Sequence, residues 1–278
     1  MALLVLAAVP LLLLAWFVGQ PKWRERRRKQ LRARPFPAEW RAILRRRVPI
    51  VRKLPFHLRR QLEGHIQVFL AEKDFVGCAD QEIDDEVRVT IAAQACLLLL
   101  NRASHYFPRL RRILVYPGPF VVERLRLEPS GVLQETRHAL SGESWTLGHV
   151  VLSWEDTLRG AAIDDDGANV VIHEFAHQLD QEKGFANGAP PLGTRGHYLA
   201  WSRVLSEEFE RLRWSSAQGL PSLLNPYGAS EPAEFFAVAS EVFFEQPHRM
   251  ATEHPALYDE LRRFYSVDPA NWQDPFAV

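Results

Sequence analysis

The stretch VVIHEFAHQLD, residues 170–180, constrains this 278-residue chain more tightly than any other. Val170, Val171, Ile172, Phe175, Ala176 and Leu179 surround most of a helix, which places that helix inside a core. The same helix carries His173, Glu174, His177 and Asp180. Polar groups in such a setting need partners. His173 and His177 lie on one face, about 6 Å apart along the axis, so their imidazoles can converge on one ion. Glu174 points partly aside. A carboxylate there can take a proton from water whose pKa an ion has lowered, the chemistry of H-E-x-x-H metallohydrolases. A satisfied pair of core histidines is the plain alternative, and the spacing together with the apolar context favours metal binding.

The third ligand must come from elsewhere, because QLDQEKG follows His177 with no histidine before His197. Glu234 and Glu241 are the candidates. They sit seven residues apart on one face of the apolar run EPAEFFAVASEVFFEQ, about 10 Å apart along the axis, so only one can reach a given ion. Spacing does not choose between them. Asp180, three residues after His177, is either an acceptor for a ligand imidazole or a carboxylate at the helix end.

Around this helix the chain reads as α+β: a mainly helical domain over residues 54–278 with a small β-sheet. His57–Phe75 and the run beginning at Asp80 have helical spacing, and the second carries acids in its first turns and an apolar second half. Arg112–Glu123, broken by Pro117-Gly118-Pro119, and Gly148–Leu158 read as strands, with a hairpin-like excursion between them. The motif helix is expected over Ile163–Lys183, another helix at His197–Arg213, and one capped by Ser230 from Pro232 to about Gln246. HPALYDELRRFYSVDP closes the domain with a short helix. The VVLSW strand is expected to align an extended substrate by main-chain pairing.

Lys plus Arg equals Asp plus Glu at 34 each, so total charge selects no polyanionic partner. Its distribution is uneven: residues 21–53 hold 14 basic residues against two acidic ones, a local net of +12. This stretch follows an apolar segment from Ala2 to Val18, close to the shortest length that spans a bilayer. Charge after the apolar run rather than before it favours a membrane-anchor helix over residues 1–20 against a cleaved signal peptide, and puts the following domain on the cytoplasmic side. Without insertion, the chain would be cytoplasmic. Residues 21–53 then read as a basic linker attracted to anionic headgroups; a nucleic-acid arm is the weaker reading, since no nucleic-acid fold accompanies it. Cys78 and Cys96 match neither a zinc ribbon nor a CxxC pair, and no disulfide is expected.

VVIHEFAHQLD, ILVYPGPFVV, SGESWTLGHVVLSWED and NPYGASEPAEFFAVASEVFFEQP, in that order, resemble the Mlc titration factor A family of bacterial zinc peptidases. The likeness covers roughly residues 54–270. It implies a zincin-like fold similar to the catalytic domain of anthrax lethal factor, and a gluzincin site in which a glutamate is the third ligand. Carried over, it makes His173, His177 and Glu234 ligands of one zinc ion, Glu174 the general base, and Glu241 a supporting acid. It also picks out Tyr227 as a phenol that stabilises the oxyanion. It implies a peptide or protein substrate, amino- or endopeptidase, and association with a Mlc-like transcriptional repressor of sugar uptake. The competing reading is a non-catalytic protein that sequesters such a repressor.

Overall fold

A computed structural model describes residues 19–102, 105–127, 133–140, 142–145 and 148–272. The proposed anchor falls almost wholly on residues 1–18, outside the described residues. Among the described residues no helix is long and apolar enough to cross a membrane.

The architecture is α+β and mainly helical. Four strands form one sheet in the order β1 (Asp74–Gly77), β2 (Arg112–Tyr116), β6 (His149–Ser153) and β5 (Gly142–Trp145). The first three run parallel, and β5 pairs antiparallel with β6. β6 is central, which is why His149–Ser153 is almost continuously apolar and buried. Its two edges are taken by β2 and β5, so VVLSW has no free backbone with which to align a substrate, and that expectation is corrected. The expected excursion is an antiparallel hairpin of β3 (Phe120–Leu127) and β4 (Leu133–Leu140).

Helices α4 (Phe56–Glu72) and α5 (Asp85–Leu97) pack against each other, with Val89, Ile91, Ala92 and Cys96 completely buried. Both cysteines are free. Helices α6 (Trp154–Ala162), α7 (Val170–Asp180), α8 (Arg195–Ala217), α9 (Pro232–Glu245), α10 (Pro247–Glu253) and α11 (Pro255–Tyr265) complete the body. Phe175 on α7 packs its ring 4.8 Å from Phe107 and 5.6 Å from Phe69. Burying each such ring contributes about 1.5–3 kcal/mol, so the motif helix is fixed by its apolar face.

Three boundaries differ from the sequence reading for local reasons. The strand at Gly148 stops at Ser153, whose hydroxyl accepts from Asp156 N–H and starts α6. The motif helix begins at Val170 rather than Ile163, because Asn169 Oδ1 accepts from Ile172 N–H and caps it. Ser230 does not cap α9: its hydroxyl donates to the Tyr227 carbonyl, and α9 opens on Glu231 and Pro232 without a side-chain cap.

The largest correction concerns the expected basic linker. Residues 19–33 form helix α1, followed by α2 (Ala38–Arg47) and α3 (Ile50–Lys53). Leu31, Phe36, Leu44, Val48 and Val51 enter the common core. Arg28 lies buried, its guanidinium donating to both oxygens of Glu72 at 2.8 and 2.7 Å and stacking 4.7 Å from the Tyr106 ring centre. Tyr106 in turn accepts from Arg32 at 3.2 Å and meets His65 Nδ1 at 2.7 Å.

Burial, reinforced by the Arg32 charge, lowers the His65 pKa to about 4. A depressed histidine pKa means the folded state binds fewer protons than the unfolded one. Its stabilising effect is full above the unfolded pKa near 6.5 and is lost as pH falls toward 4. In urea titrations at pH 7.5 and pH 4, His65→Phe should therefore lose less stability on acidification than the wild type, by about 3 kcal/mol. An equal loss in both proteins would refute this origin of acid sensitivity.

Candidate metal centre

α7 and α9 cross so that three donor atoms meet. His173 Nε2 lies 3.0 Å from Glu234 Oε2, His177 Nε2 lies 3.3 Å from His173 Nε2, and His177 Nε2 lies 3.5 Å from Glu234 Oε2. Among the described residues these are the three side chains that could hold a metal ion together. Ligands at 2.0–2.1 Å in a tetrahedral shell sit about 3.3 Å from one another, close to these separations. Of the two candidate acids, Glu234 reaches both histidines.

Glu241 takes the other side of His173. Its Oε1 is 2.8 Å from His173 Nδ1, and its Oε2 accepts from the Asn169 backbone N–H at 2.5 Å. With Nδ1–H donated to Glu241, the Nε2 lone pair of His173 faces the Glu234 carboxylate. Two acceptors at 3.0 Å repel unless a positive charge stands between them. The electrostatics agree. Burial lowers the His173 pKa, but the Glu241 and Glu234 carboxylates outweigh it and hold the pKa well above the ordinary value. Burial raises the Glu234 pKa, and the two histidines overcome it and hold the carboxyl well below its usual range. The site thus favours added positive charge between His173, His177 and Glu234, which a divalent cation supplies.

Asn169 and Glu245 belong to this construction and were missed in the sequence. Asn169 Nδ2 donates to Gly160 O and to Glu245 Oε1, while Glu245 Oε2 accepts from the N–H groups of Gly167 and Ala168. Glu241 and Glu245, on successive turns of α9, therefore grip the chain entering α7. Burial, with Asp166 and Glu241 nearby, pushes the Glu245 carboxyl up to about 9 against those hydrogen bonds. An asparagine directly before an apolar helical run is a readable cap signal, and Glu245 stands four residues after Glu241 in the same apolar run.

Asp180 serves the next loop. Its Oδ2 accepts from the N–H groups of Asn187 and Gly188 at 2.8 and 2.7 Å. Gly188 has φ +76°, and a Cβ there would lie 2.4 Å from Pro232 O, in the first turn of α9 beside Glu234. Trp201 Nε1 holds the Gly188 carbonyl at 2.8 Å. The loop after α7 thus braces the helix that brings in the carboxylate.

Beside these atoms lies a cleft of about 330 Å³, lined by His173, Glu174, Glu241, Asn225, Tyr227 and Asp166 among others. Glu174 is buried at its wall. Tyr227 is 55% exposed in the 3-10 turn Pro226–Ala229, its ring centre 6.1 Å from that of His173, so it stands at the mouth with room to meet a bound molecule.

Residues 22–266 match the family described as glucose-regulated metallo-peptidase M90. The chain belongs to this family. It is 42% identical over 258 residues to an uncharacterized protein, slr2042, of Synechocystis, covering 92% of this chain and 94% of that one. It is 32% identical over 245 residues to Mlc titration factor A of Escherichia coli, covering 83% and 89%, and 30% identical over 235 residues to that of Cronobacter sakazakii, covering 84% and 87%. The M90 match begins within α1, in agreement with the packing of that helix into the core. A metallopeptidase family implies a metal ion, and the donor set at His173, His177 and Glu234 fits one.

Two outcomes follow. Glu241→Gln should weaken metal binding about 10- to 100-fold in a chelator competition while leaving helix content intact. Gly188→Ala should lower the unfolding free energy by about 1–3 kcal/mol in denaturant, because it forces a positive φ and a backbone collision. Gly196→Ala, in the first turn of α8 where a Cβ meets open space, serves as the control and should keep or slightly raise stability.

Proposed function

We propose that the chain is a zinc-dependent peptidase of the gluzincin type, with His173, His177 and Glu234 as the ligands. The observation that carries this reading is the mutual spacing of 3.0–3.5 Å among the three donor atoms, beside a cleft that also presents Glu174 and Tyr227. A bound zinc ion would supply Lewis acidity toward the peptide carbonyl and lower the pKa of water. The Glu174 carboxylate takes the proton of the attacking water and passes it to the leaving amine. The Tyr227 phenol donates to the developing oxyanion, and a neutral donor aimed there stabilises charge that the ground state lacks. Glu241 keeps His173 in the tautomer that presents Nε2. The extended substrate pairs along β5, whose second edge is unpaired among the described strands.

A second reading draws on the printed name of the E. coli and C. sakazakii relatives. It gives the chain a regulatory partner, a Mlc-like repressor, bound with or without hydrolysis. Glu174→Gln separates the two, since it removes the proton acceptor without touching the donor set.

The deciding experiment is mass-spectrometric profiling of a mixed peptide library with the zinc-loaded full chain and its Glu174→Gln variant. Cleavage by the wild type alone supports the peptidase and shows whether it trims ends or cuts internally. Absence of cleavage by a zinc-loaded wild type would overturn hydrolysis and leave the binding role. Tyr227→Phe should lower kcat about 10²-fold or more with little change in KM.

A further inference from the structure

Helix α1 is built as a post with two unlike halves. Its second half is locked to the body by the bidentate Arg28–Glu72 pair, by Arg28 donating to His105 O at 3.1 Å, and by Leu31 in the core. Its first half, residues 19–27, is exposed at every position. At 100° per residue, Lys22, Trp23, Arg26, Arg27 and Lys29 fall on the side turned away from Arg28, Leu31 and Arg32. Trp23 is 63% exposed, with the Arg27 guanidinium 5.8 Å from its ring centre. The single acid of this helix, Glu25, is paired with Arg32 at 2.5 Å, so no acid of the helix is left for its outer cations. Residues 2–18, which run directly into α1, contain no charged side chain.

We infer that the outer face of α1 is a docking surface for an anionic phospholipid bilayer, and that the locked inner face holds the body at a fixed attitude to that surface. One feature selects a lipid surface over other polyanions. An exposed tryptophan flanked by cations suits the boundary between headgroups and acyl chains, where its ring and N–H are both satisfied. The cations supply attraction to anionic headgroups, each strengthening binding about fivefold near the surface. Because Arg28 and Leu31 tie the post to α4 and the core, the basic stretch does not act as a flexible tether. This inference is independent of the peptidase reading.

The test is flotation of the full chain with phosphatidylcholine vesicles, with and without phosphatidylglycerol. It is run for the wild type and for a Lys22→Gln/Arg26→Gln/Lys29→Gln variant, none of whose changed residues has a bonded partner among the described residues. The wild type should bind phosphatidylglycerol vesicles more tightly than neutral ones, and salt should weaken that binding. The triple variant should lose about a hundredfold of affinity for the anionic vesicles at an unchanged thermal transition. Brominated phosphatidylglycerol should quench less fluorescence in Trp23→Phe than in the wild type. Equal binding to neutral and anionic vesicles, unaltered binding by the triple variant, or tighter binding to duplex DNA than to anionic vesicles would each overturn the inference.

Discussion

The bridge from Glu241 to both His173 Nδ1 and the Asn169 N–H is the interaction on which the site depends. One carboxylate on α9 fixes the tautomer of an imidazole on α7 and, through its other oxygen, the residue that caps α7. The position of the donor atoms and the start of the helix are thereby the same constraint. Glu245, one turn on, extends the grip to Gly167, Ala168 and the Asn169 side chain. The crossing of α7 and α9 cannot slide without breaking this ladder, and Glu234, two turns before Glu241, is delivered to the histidines as a result.

Such a ladder explains why α9 mixes phenylalanines with three glutamates. Phe235, Phe236, Phe243 and Phe244 bury against α8 and α11, with Phe236 5.7 Å from both Trp201 and Phe264. That packing sets the rotation of α9 about its axis. The remaining face then presents Glu234, Glu241 and Glu245 along one line toward α7. Buried acids are tolerated there because imidazoles and backbone N–H groups meet them.

Legibility in the sequence followed the range of the interactions. His173, Glu174 and His177 were readable because a helix fixes their relation locally. Glu234 and Glu241 were readable as candidates, but choosing between them needed the crossing of two helices, which no spacing contains. Asn169 and Glu245 carried local signals that make sense only once their partners are known. The fold class and most helices were legible from apolar periodicity, whereas β6 was mistaken for a free strand because its neighbours β2 and β5 are remote or weakly patterned in sequence. The basic stretch misled most. Its composition describes a solvated linker, yet Arg28 is buried by Glu72, 44 residues away, and Leu31, Phe36 and Leu44 are scattered among arginines at core-facing turns.

The same physics joins the two ends of the molecule. Each places a charged group inside the body and makes it tolerable through partners rather than through water. At Arg28 the partners are complete: both Glu72 oxygens, the His105 carbonyl and the Tyr106 ring. At His173 Glu241 meets the Nδ1 side, while the Nε2 side is shared with the Glu234 carboxylate and His177 Nε2. A protein core satisfies its polar groups wherever packing allows. A region with five hydrogen bonds positioning α7 also directs two imidazole nitrogens and a carboxylate oxygen at one another, a donor set whose spacing and charge suit a small divalent cation. Binding of such an ion would therefore stabilise the α7–α9 crossing as well as create the chemistry of the cleft.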